Sequence, residues 1–80
     1  MMNIDDGRIY WQCRRGMREL DILLLEFFNR YFRTLDKQQK INFAELLENA
    51  DEVLISWFYG RSAPVEKRMQ VLVKLIRGIA

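Results

Sequence analysis

The feature that most constrains the fold of this chain is an apolar stripe within the segment Glu19–Arg33. Its side chains recur at intervals of three or four residues, the spacing that places them on one buried face of an α-helix. The stripe consists of Leu20, Leu23, Leu24, Phe27, Phe28 and Tyr31. Because Ile22, Leu25 and Phe32 widen it, we expect a helix over this segment that lies centrally and contacts several neighbours.

A first short helix is predicted from Asn3 to Arg15. Asp5 and Asp6 lie at its N-terminus, and Arg14 and Arg15 lie at its C-terminus. This order of charges is the one that the helix dipole favours. Ile9 and Cys13, four residues apart, supply its buried face. Trp11 lies on a different face, so it either packs under the N-terminal segment or stands exposed as an anchor for a partner.

Two capping-box patterns mark the start of later helices. In this motif the side chain of the N-cap residue accepts a hydrogen bond from the backbone N–H three residues later. The side chain of that later residue accepts one from the backbone N–H of the N-cap. Asp36 with Gln39 predicts the start of a third helix, and Asn49 with Glu52 predicts the start of a fourth. Trp57 is in phase with the apolar residues of the fourth helix, so we place it in the core.

Glycine and proline set the remaining boundaries. Gly60 is expected to end the fourth helix, and Pro64 is expected to open the fifth, where its missing N–H does no harm. Gly78 should close the fifth helix, whose apolar face comprises Val65, Met69, Leu72, Val73 and Ile76. Because nothing reads as a strand, we predict an all-α, compact five-helix bundle in which residues 1–80 form one domain.

Composition excludes several functional classes. The 13 basic and 11 acidic residues leave a net charge of +2, which is too small to indicate a nucleic-acid partner. With no histidine and one cysteine, Cys13, the chain offers neither a zinc site nor a Cys–His nucleophile. Its longest purely apolar run, Ile22–Leu25, is far shorter than the roughly 20 residues of a membrane span. We therefore expect a cytoplasmic protein without a signal peptide or membrane insertion.

The segment Arg14–Asp21, which reads Arg-Arg-Gly-Met-Arg-Glu-Leu-Asp, concentrates charge around one glycine. Gly16 favours a turn between two helices because glycine adopts positive φ at little steric cost. Such a charge cluster serves either as solvated helix ends or as a surface for partner recognition. The turn is expected to hold four charged residues close together on the surface, namely Arg14, Arg15, Arg18 and Glu19.

Two other candidates for chemistry have simpler interpretations. Glu19 and Asp21 are two residues apart, so on a helix they point about 200° away from each other and make an improbable catalytic pair. Cys13 lies on an apolar face and is expected to be a small buried residue rather than a reactive thiol. The residues alone therefore indicate a small helical interaction protein and not an enzyme.

A family resemblance is carried by the same segment. Residues 15–19, Arg-Gly-Met-Arg-Glu, resemble the Arg-Gly-x-x-Glu signature of the succinate dehydrogenase flavinylation factors, also called FAD assembly factors. Three further stretches are similar to bacterial members of that family: Arg8–Trp11, Phe43–Leu47 and Asp51–Trp57. The likeness spans nearly the whole chain.

The resemblance implies a chaperone-like five-helix protein that binds the flavoprotein subunit of succinate dehydrogenase, and that of the related fumarate reductase. Its role would be to help FAD become covalently attached to a histidine of this client, without a cofactor of its own. The lack of a mitochondrial targeting extension is typical of a bacterial, cytoplasmic member. We expect a monomer, although the sequence leaves dimerisation open. Some bacterial members are described as antitoxins, so neutralisation of a toxin partner is the alternative function.

From this resemblance we hypothesise roles for single residues. Gly16 shapes the turn and lets the client's backbone approach closely. Arg15 and Glu19 form charge-assisted hydrogen bonds with the client near its flavin site. No catalytic residue is expected, because a chain without histidine leaves bond formation to the flavoprotein. The other expected contact residues are Arg8, Trp11, Arg14, Arg18 and Asp21.

Overall fold

The computed structural model describes residues 6–79, and this part of the chain contains five α-helices and no strand. The helices are α1 (Asp6–Gln12), α2 (Arg18–Tyr31), α3 (Lys37–Leu46), α4 (Asp51–Phe58) and α5 (Lys67–Arg77). A 3₁₀ turn, Phe32–Thr34, continues directly from α2. None of the helices within residues 6–79 is long and apolar enough to cross a membrane. The predicted all-α, five-helix fold is confirmed.

Helix α2 contacts several neighbours, as its wide apolar stripe predicted. It packs against α4 and α5, and α5 also packs against α3 and α4. The most buried side chains of α2 are Leu20, Leu24 and Phe27. Ile22 is 54% exposed, so its assignment to the buried stripe was wrong. An offset of two residues from Leu20 turns it by about 200° around the helix, away from the core.

An aromatic cluster fills the space where α2 ends. The ring centroids of Phe27 and Phe43 lie 5.1 Å apart, and the ring of Phe28 stacks on that of Phe32 at 4.6 Å. The α-helix ends at Tyr31 and tightens into the 3₁₀ turn, two residues before the end that the stripe predicted. Tyr31 was assigned to the buried stripe but is exposed at this last position.

Helix α1 ends earlier than the sequence predicted. Its last residue is Gln12, and the N–H of Cys13 is shared between two backbone carbonyls at 3.1 Å, so the final turn tightens. Arg14 and Arg15 therefore lie beyond the helix, whose last turn has no basic residue. The predicted start at Asn3 lies outside the described residues.

The two predicted capping boxes had opposite outcomes. At α3 the box is confirmed, since Asp36 accepts from the backbone of Gln39 at 2.8 Å and Gln39 accepts from the backbone of Asp36 at 3.0 Å. At α4 the prediction was wrong, because the N-cap is Ala50 and has no side-chain hydrogen bond. Asn49 instead donates from Nδ2 to the carbonyl of Leu46, 2.9 Å away, at the end of α3.

Gly60 ends α4 as predicted, with φ +73°. Its N–H donates to the carbonyl of Trp57, and the N–H of Arg61 donates to the carbonyl of Ser56, which are the paired bonds of a Schellman motif. The side chain of Trp57 is half-buried and packs against the core, so its expected core position is confirmed in part. Gly78, which was predicted to close α5, follows the last residue of that helix.

Helix α5 begins later than predicted. It starts at Lys67 with Glu66 as its N-cap, so the assignment of Pro64 to the first helical position was wrong. Pro64 is buried in the preceding loop, where its carbonyl accepts from Gln70 Nε2 at 2.8 Å. Val65 is 97% exposed and does not belong to the apolar face. The other predicted face residues are buried, namely Met69, Leu72, Val73 and Ile76.

Arg68 joins α5 to α3. Its Nη2 lies 2.6 Å from Glu45 Oε2, and its Nη1 donates to Asn42 Oδ1 at 2.8 Å. Hydrogen bonds with Glu66 and Glu45 raise the pKa of the Arg68 guanidinium. The buried side chain of Asn42 thereby accepts a hydrogen bond from a charged group, in addition to the one from Gln38 Nε2 at 3.0 Å.

Candidate partner-binding site

Residues 13–17 form the α1–α2 turn, which is built around a glycine in the left-handed region. Gly16 has φ +80°, as expected for the predicted turn. A Cβ at this position would meet no atom within 4 Å, so the glycine is required by backbone conformation and not by crowding. Because Gly16 is exposed, the backbone of another molecule can approach it closely.

The side chain of Arg15 points into the molecule. Its Nε donates to Asp51 Oδ1 at 2.8 Å, and its Nη2 donates to the carbonyl of Asn49 at 2.7 Å. Its Nη1 donates to the carbonyls of Leu47 at 2.7 Å and Gln12 at 3.1 Å. These four bonds use most of the guanidinium's donors, and the side chain is only 16% exposed.

The acceptors of Arg15 lie at the ends of three helices. Gln12 is the last residue of α1, Leu47 is the C-cap of α3, and Asp51 is the first residue of α4. Carbonyls at a helix C-terminus lack a partner within the helix and carry partial negative charge, so they attract a cation. We call Arg15 with Gln12, Leu47, Asn49 and Asp51 the Arg15 brace.

The backbone of Arg15 is held as well. Its N–H donates to Asp21 Oδ1 at 2.6 Å. Met17 is the N-cap of α2 and makes no side-chain capping bond, so Asp21 is the side chain that ties the turn to this helix. Arg15 is therefore fixed to α2 through its backbone, and to α1 and the α3–α4 connection through its guanidinium.

The expectation that Arg15 lies on the surface with its charged neighbours was wrong. A local charge pattern does not reveal a contact with Asp51, which is 36 residues away in sequence. Sequence reasoning also missed Leu47 and Asn49, because these residues act through carbonyl groups that every residue possesses. Asp51 was marked in the sequence only as a carboxylate in the first turn of a helix. Such carboxylates are common because they interact favourably with the helix dipole, so this signal does not identify a partner of Arg15.

The outer side of the site is formed by exposed residues. Trp11 is 69% exposed, in agreement with the anchor alternative, and the guanidinium carbon of Arg14 lies 5.5 Å from the centre of its ring. The other alternative for Trp11 involves residues 1–5, which lie outside the described part of the chain. Arg8, Arg18 and Glu19 are exposed as well. The contact of all these residues with a partner stays a prediction.

Two open, mostly apolar grooves lie along the helices on either side of the turn in sequence. The first lies beside α1 and has Tyr10, Trp11 and Phe28 in its walls. The second runs along α2 from Glu19 and includes Tyr59 of the α4 C-terminus. Small-molecule sites are usually enclosed clefts, whereas these open surfaces suit contact with another protein.

The chemistry available at the site is limited. Cys13 is fully buried, and this burial raises the pKa of its thiol from 9.0 to about 12, against the opposing effect of Arg15. A protonated, inaccessible thiol is not a nucleophile. The carboxylate of Asp21 accepts a hydrogen bond from the backbone of Arg15, whereas the side chain of Glu19 is exposed to solvent. The two carboxylates therefore lie in different environments and do not form a pair. Residues 6–79 contain no group of three His, Cys, Asp or Glu side chains placed to hold a metal ion.

Comparison with known proteins identifies the family. Residues 7–80 match the model of the family described as "Flavinator of succinate dehydrogenase". The chain is 42% identical over 77 residues to the FAD assembly factor SdhE of Serratia sp. (strain ATCC 39006), which covers 95% of this chain and 88% of that protein. The FAD assembly factor SdhE of Coxiella burnetii is 38% identical over 73 residues, with 91% and 89% covered. This chain therefore belongs to the family of flavinators of succinate dehydrogenase.

Proposed function

We propose that this protein is an assembly factor that binds the flavoprotein subunit of succinate dehydrogenase and promotes covalent attachment of FAD to it. Its family and the FAD assembly factors among its relatives support this function. The observation that carries the proposal is that Gly16 of the α1–α2 turn and Glu19 of the first turn of α2 are both exposed, on a backbone that Arg15 and Asp21 hold in place by hydrogen bonds.

The exposed side of the turn is the surface that we assign to the flavoprotein. Glu19 would accept hydrogen bonds from a cationic or amide group of the client, while Gly16 admits the client's backbone. Trp11, with Arg14 beside its ring, offers an aromatic anchor of the kind that dominates protein interfaces. Arg8 and Arg18 complete the contact set, and Arg15 and Asp21 support it from within.

We assign the bond-forming chemistry to the flavoprotein. This chain has no histidine, and its single thiol is buried and protonated. We propose that it acts by positioning the client's reacting groups, an effect worth several kcal/mol when the alignment is good, and not as an enzyme in its own right. FAD belongs to the client. The immature client has to bind more tightly than the finished one, since otherwise the factor would remain attached.

Co-expression in a bacterial strain that lacks its own assembly factor tests this proposal. The flavoprotein is expressed with the wild-type chain, with Glu19→Ala or with Gly16→Ala, and covalent flavin is read by fluorescence in a denaturing gel. We expect Glu19→Ala to lower flavin attachment about tenfold, the effect of one lost charge-assisted hydrogen bond. Gly16→Ala should lower it by a similar factor, because alanine is strained at φ +80° and the turn would change shape. The same assay with the fumarate reductase flavoprotein tests our proposal that it is a second client.

The chain offers matched controls for both variants. Glu52 is exposed in the first turn of α4, as Glu19 is in the first turn of α2, and Gly78 has φ −66°, a value that alanine adopts freely. Glu52→Ala and Gly78→Ala are expected to retain wild-type flavin attachment. Equal attachment with and without the wild-type chain would contradict the function. Equal attachment with wild type and both turn variants would exclude the turn as the contact surface.

A further inference from the structure

The α1–α2 turn contains little that would fix its own shape. Gly16 has no side chain, and even a Cβ there would touch nothing within 4 Å. Met17 caps α2 without a side-chain hydrogen bond. Cys13 and Met17 pack on the core at the two ends of the turn, whereas the backbone between them is held by the Arg15 brace and by the hydrogen bond from the N–H of Arg15 to Asp21.

Within the brace, Asp51 is the partner that matches the charge of Arg15. It is the ion-pair partner of Arg15 among the described residues, while the other three acceptors are neutral carbonyls. A guanidinium that is largely withdrawn from water needs a counter-charge, because carbonyl dipoles replace its hydration only in part. Without the carboxylate, the Arg15 side chain would gain by moving outward into solvent, and the backbone of residues 14–17 would move with it.

We propose that Asp51 is a positioning residue of the flavoprotein-binding site. Its carboxylate holds Arg15 against the α3–α4 connection, so that Gly16 and Glu19 are presented to the client in one fixed arrangement. A contact surface that is already ordered loses less conformational freedom on binding, and this raises affinity. Asp51 acts through Arg15 and does not touch the client. This inference rests on the function proposed above.

The alternative is that Asp51 only stabilises the fold. Arg68 and Glu45 provide the control, since they form a partly exposed ion pair between helices at 2.6 Å that includes no residue of the Arg15 brace, although Arg68 also pairs with Glu66. Glu45→Gln removes a carboxylate charge from this second pair while it leaves the Arg15 brace intact.

The test measures the affinity of purified chains for the purified flavoprotein subunit of succinate dehydrogenase that lacks covalent FAD. Asp51→Asn keeps the shape of the side chain and removes its charge. Asp51→Ser removes the charge and also shortens the side chain, so that it no longer extends to Arg15. Each is combined with Glu19→Ala in a double-mutant cycle, and circular dichroism confirms that every chain is folded. We expect Asp51→Asn to weaken binding about tenfold and Glu45→Gln to leave it within about twofold of wild type.

The double mutants separate positioning from general stability. If Asp51 acts by placing Gly16 and Glu19, Asp51→Asn weakens binding by a smaller factor once Glu19→Ala has removed one of these two contacts. Wild-type affinity in the folded Asp51 variants, or an equal loss with and without Glu19→Ala, would overturn the inference. Loss of the fold in both Asp51 variants would also overturn it. A wild-type chain that does not bind the flavoprotein would instead contradict the proposed function.

Discussion

Arg15 shows how one planar side chain can serve the ends of three helices. Its guanidinium donates to Gln12, Leu47 and Asn49 and forms an ion pair with Asp51, in directions that the three donors of a lysine cannot reproduce. The position of a glycine turn was predictable from local sequence, because positive φ is a property of one residue. The inward direction of Arg15 was not, because its partners lie far along the chain.

Cys13 provides a test of burial at the residue scale. Its folded pKa of about 12 exceeds the ordinary value of 9.0 that applies to the unfolded chain, so the unfolded state loses its proton first as the pH rises. This contribution to stability is complete below pH 9 and declines above it. Between pH 9 and 10.5 we expect the free energy of unfolding of the wild type to fall by about 1.5 kcal/mol more than that of Cys13→Ala.

Urea titrations of both chains across this pH range measure the difference. The comparison cancels the titration of lysines and tyrosines, which both chains share. Parallel pH profiles would show that the thiol of Cys13 is accessible to solvent in the folded state.

At the scale of helices, the sequence was informative wherever a boundary is set by residues close together in the chain. Asp36 and Gln39 cap α3 reciprocally, and Gly60 ends α4 through bonds to the preceding turn. The prediction failed at Asn49, whose carbonyl accepts from Arg15 and whose side chain is occupied by the end of α3. It failed again at Pro64, which is buried as part of a loop. In both places contacts within the folded molecule outweigh the local preference.

The two capping-box patterns give a test at this scale. Asp36→Ala should lower the free energy of unfolding by about 1 kcal/mol, because it removes an observed cap. Glu52→Ala should change it by less than about 0.5 kcal/mol, because Glu52 is exposed and the predicted box around it does not form. Denaturant unfolding followed by circular dichroism compares them. Similar losses for both variants would show that Glu52 also caps a helix.

For the whole molecule, stability rests on a core that spans all five helices. The core includes residues of every helix, from Ile9 of α1 to Ile76 of α5. The helical period predicted much of this core, because burial on a helix follows from spacing along the chain. The exposed residues of the candidate site were proposed from the charge cluster around Gly16 and from the family signature. The inward half of the site depends on how α1, α3 and α4 meet, which no single helix specifies.

Phe27 and Ile22 test the size of this core. An 80-residue domain has about 4–12 kcal/mol of stability. Phe27→Ala removes a fully buried ring and should cost about 3–5 kcal/mol, enough to unfold much of the population. Ile22→Ala, on the exposed side of the same helix, should cost less than about 1 kcal/mol. Urea midpoints measure both, and equal losses would contradict the orientation of α2.

The carbonyl bonds of the Arg15 brace also restrict how the length of this chain can vary. A surface connection such as residues 47–50 ordinarily tolerates inserted or deleted residues. Here the carbonyls of Leu47 and Asn49 accept hydrogen bonds from Arg15, which lies 32 and 34 residues earlier in the chain. One added residue would shift one of these carbonyls away from the guanidinium and disturb the α1–α2 turn. The spacing between the third and fourth helices is therefore tied to the shape of the α1–α2 turn, although these two connections lie far apart in the sequence.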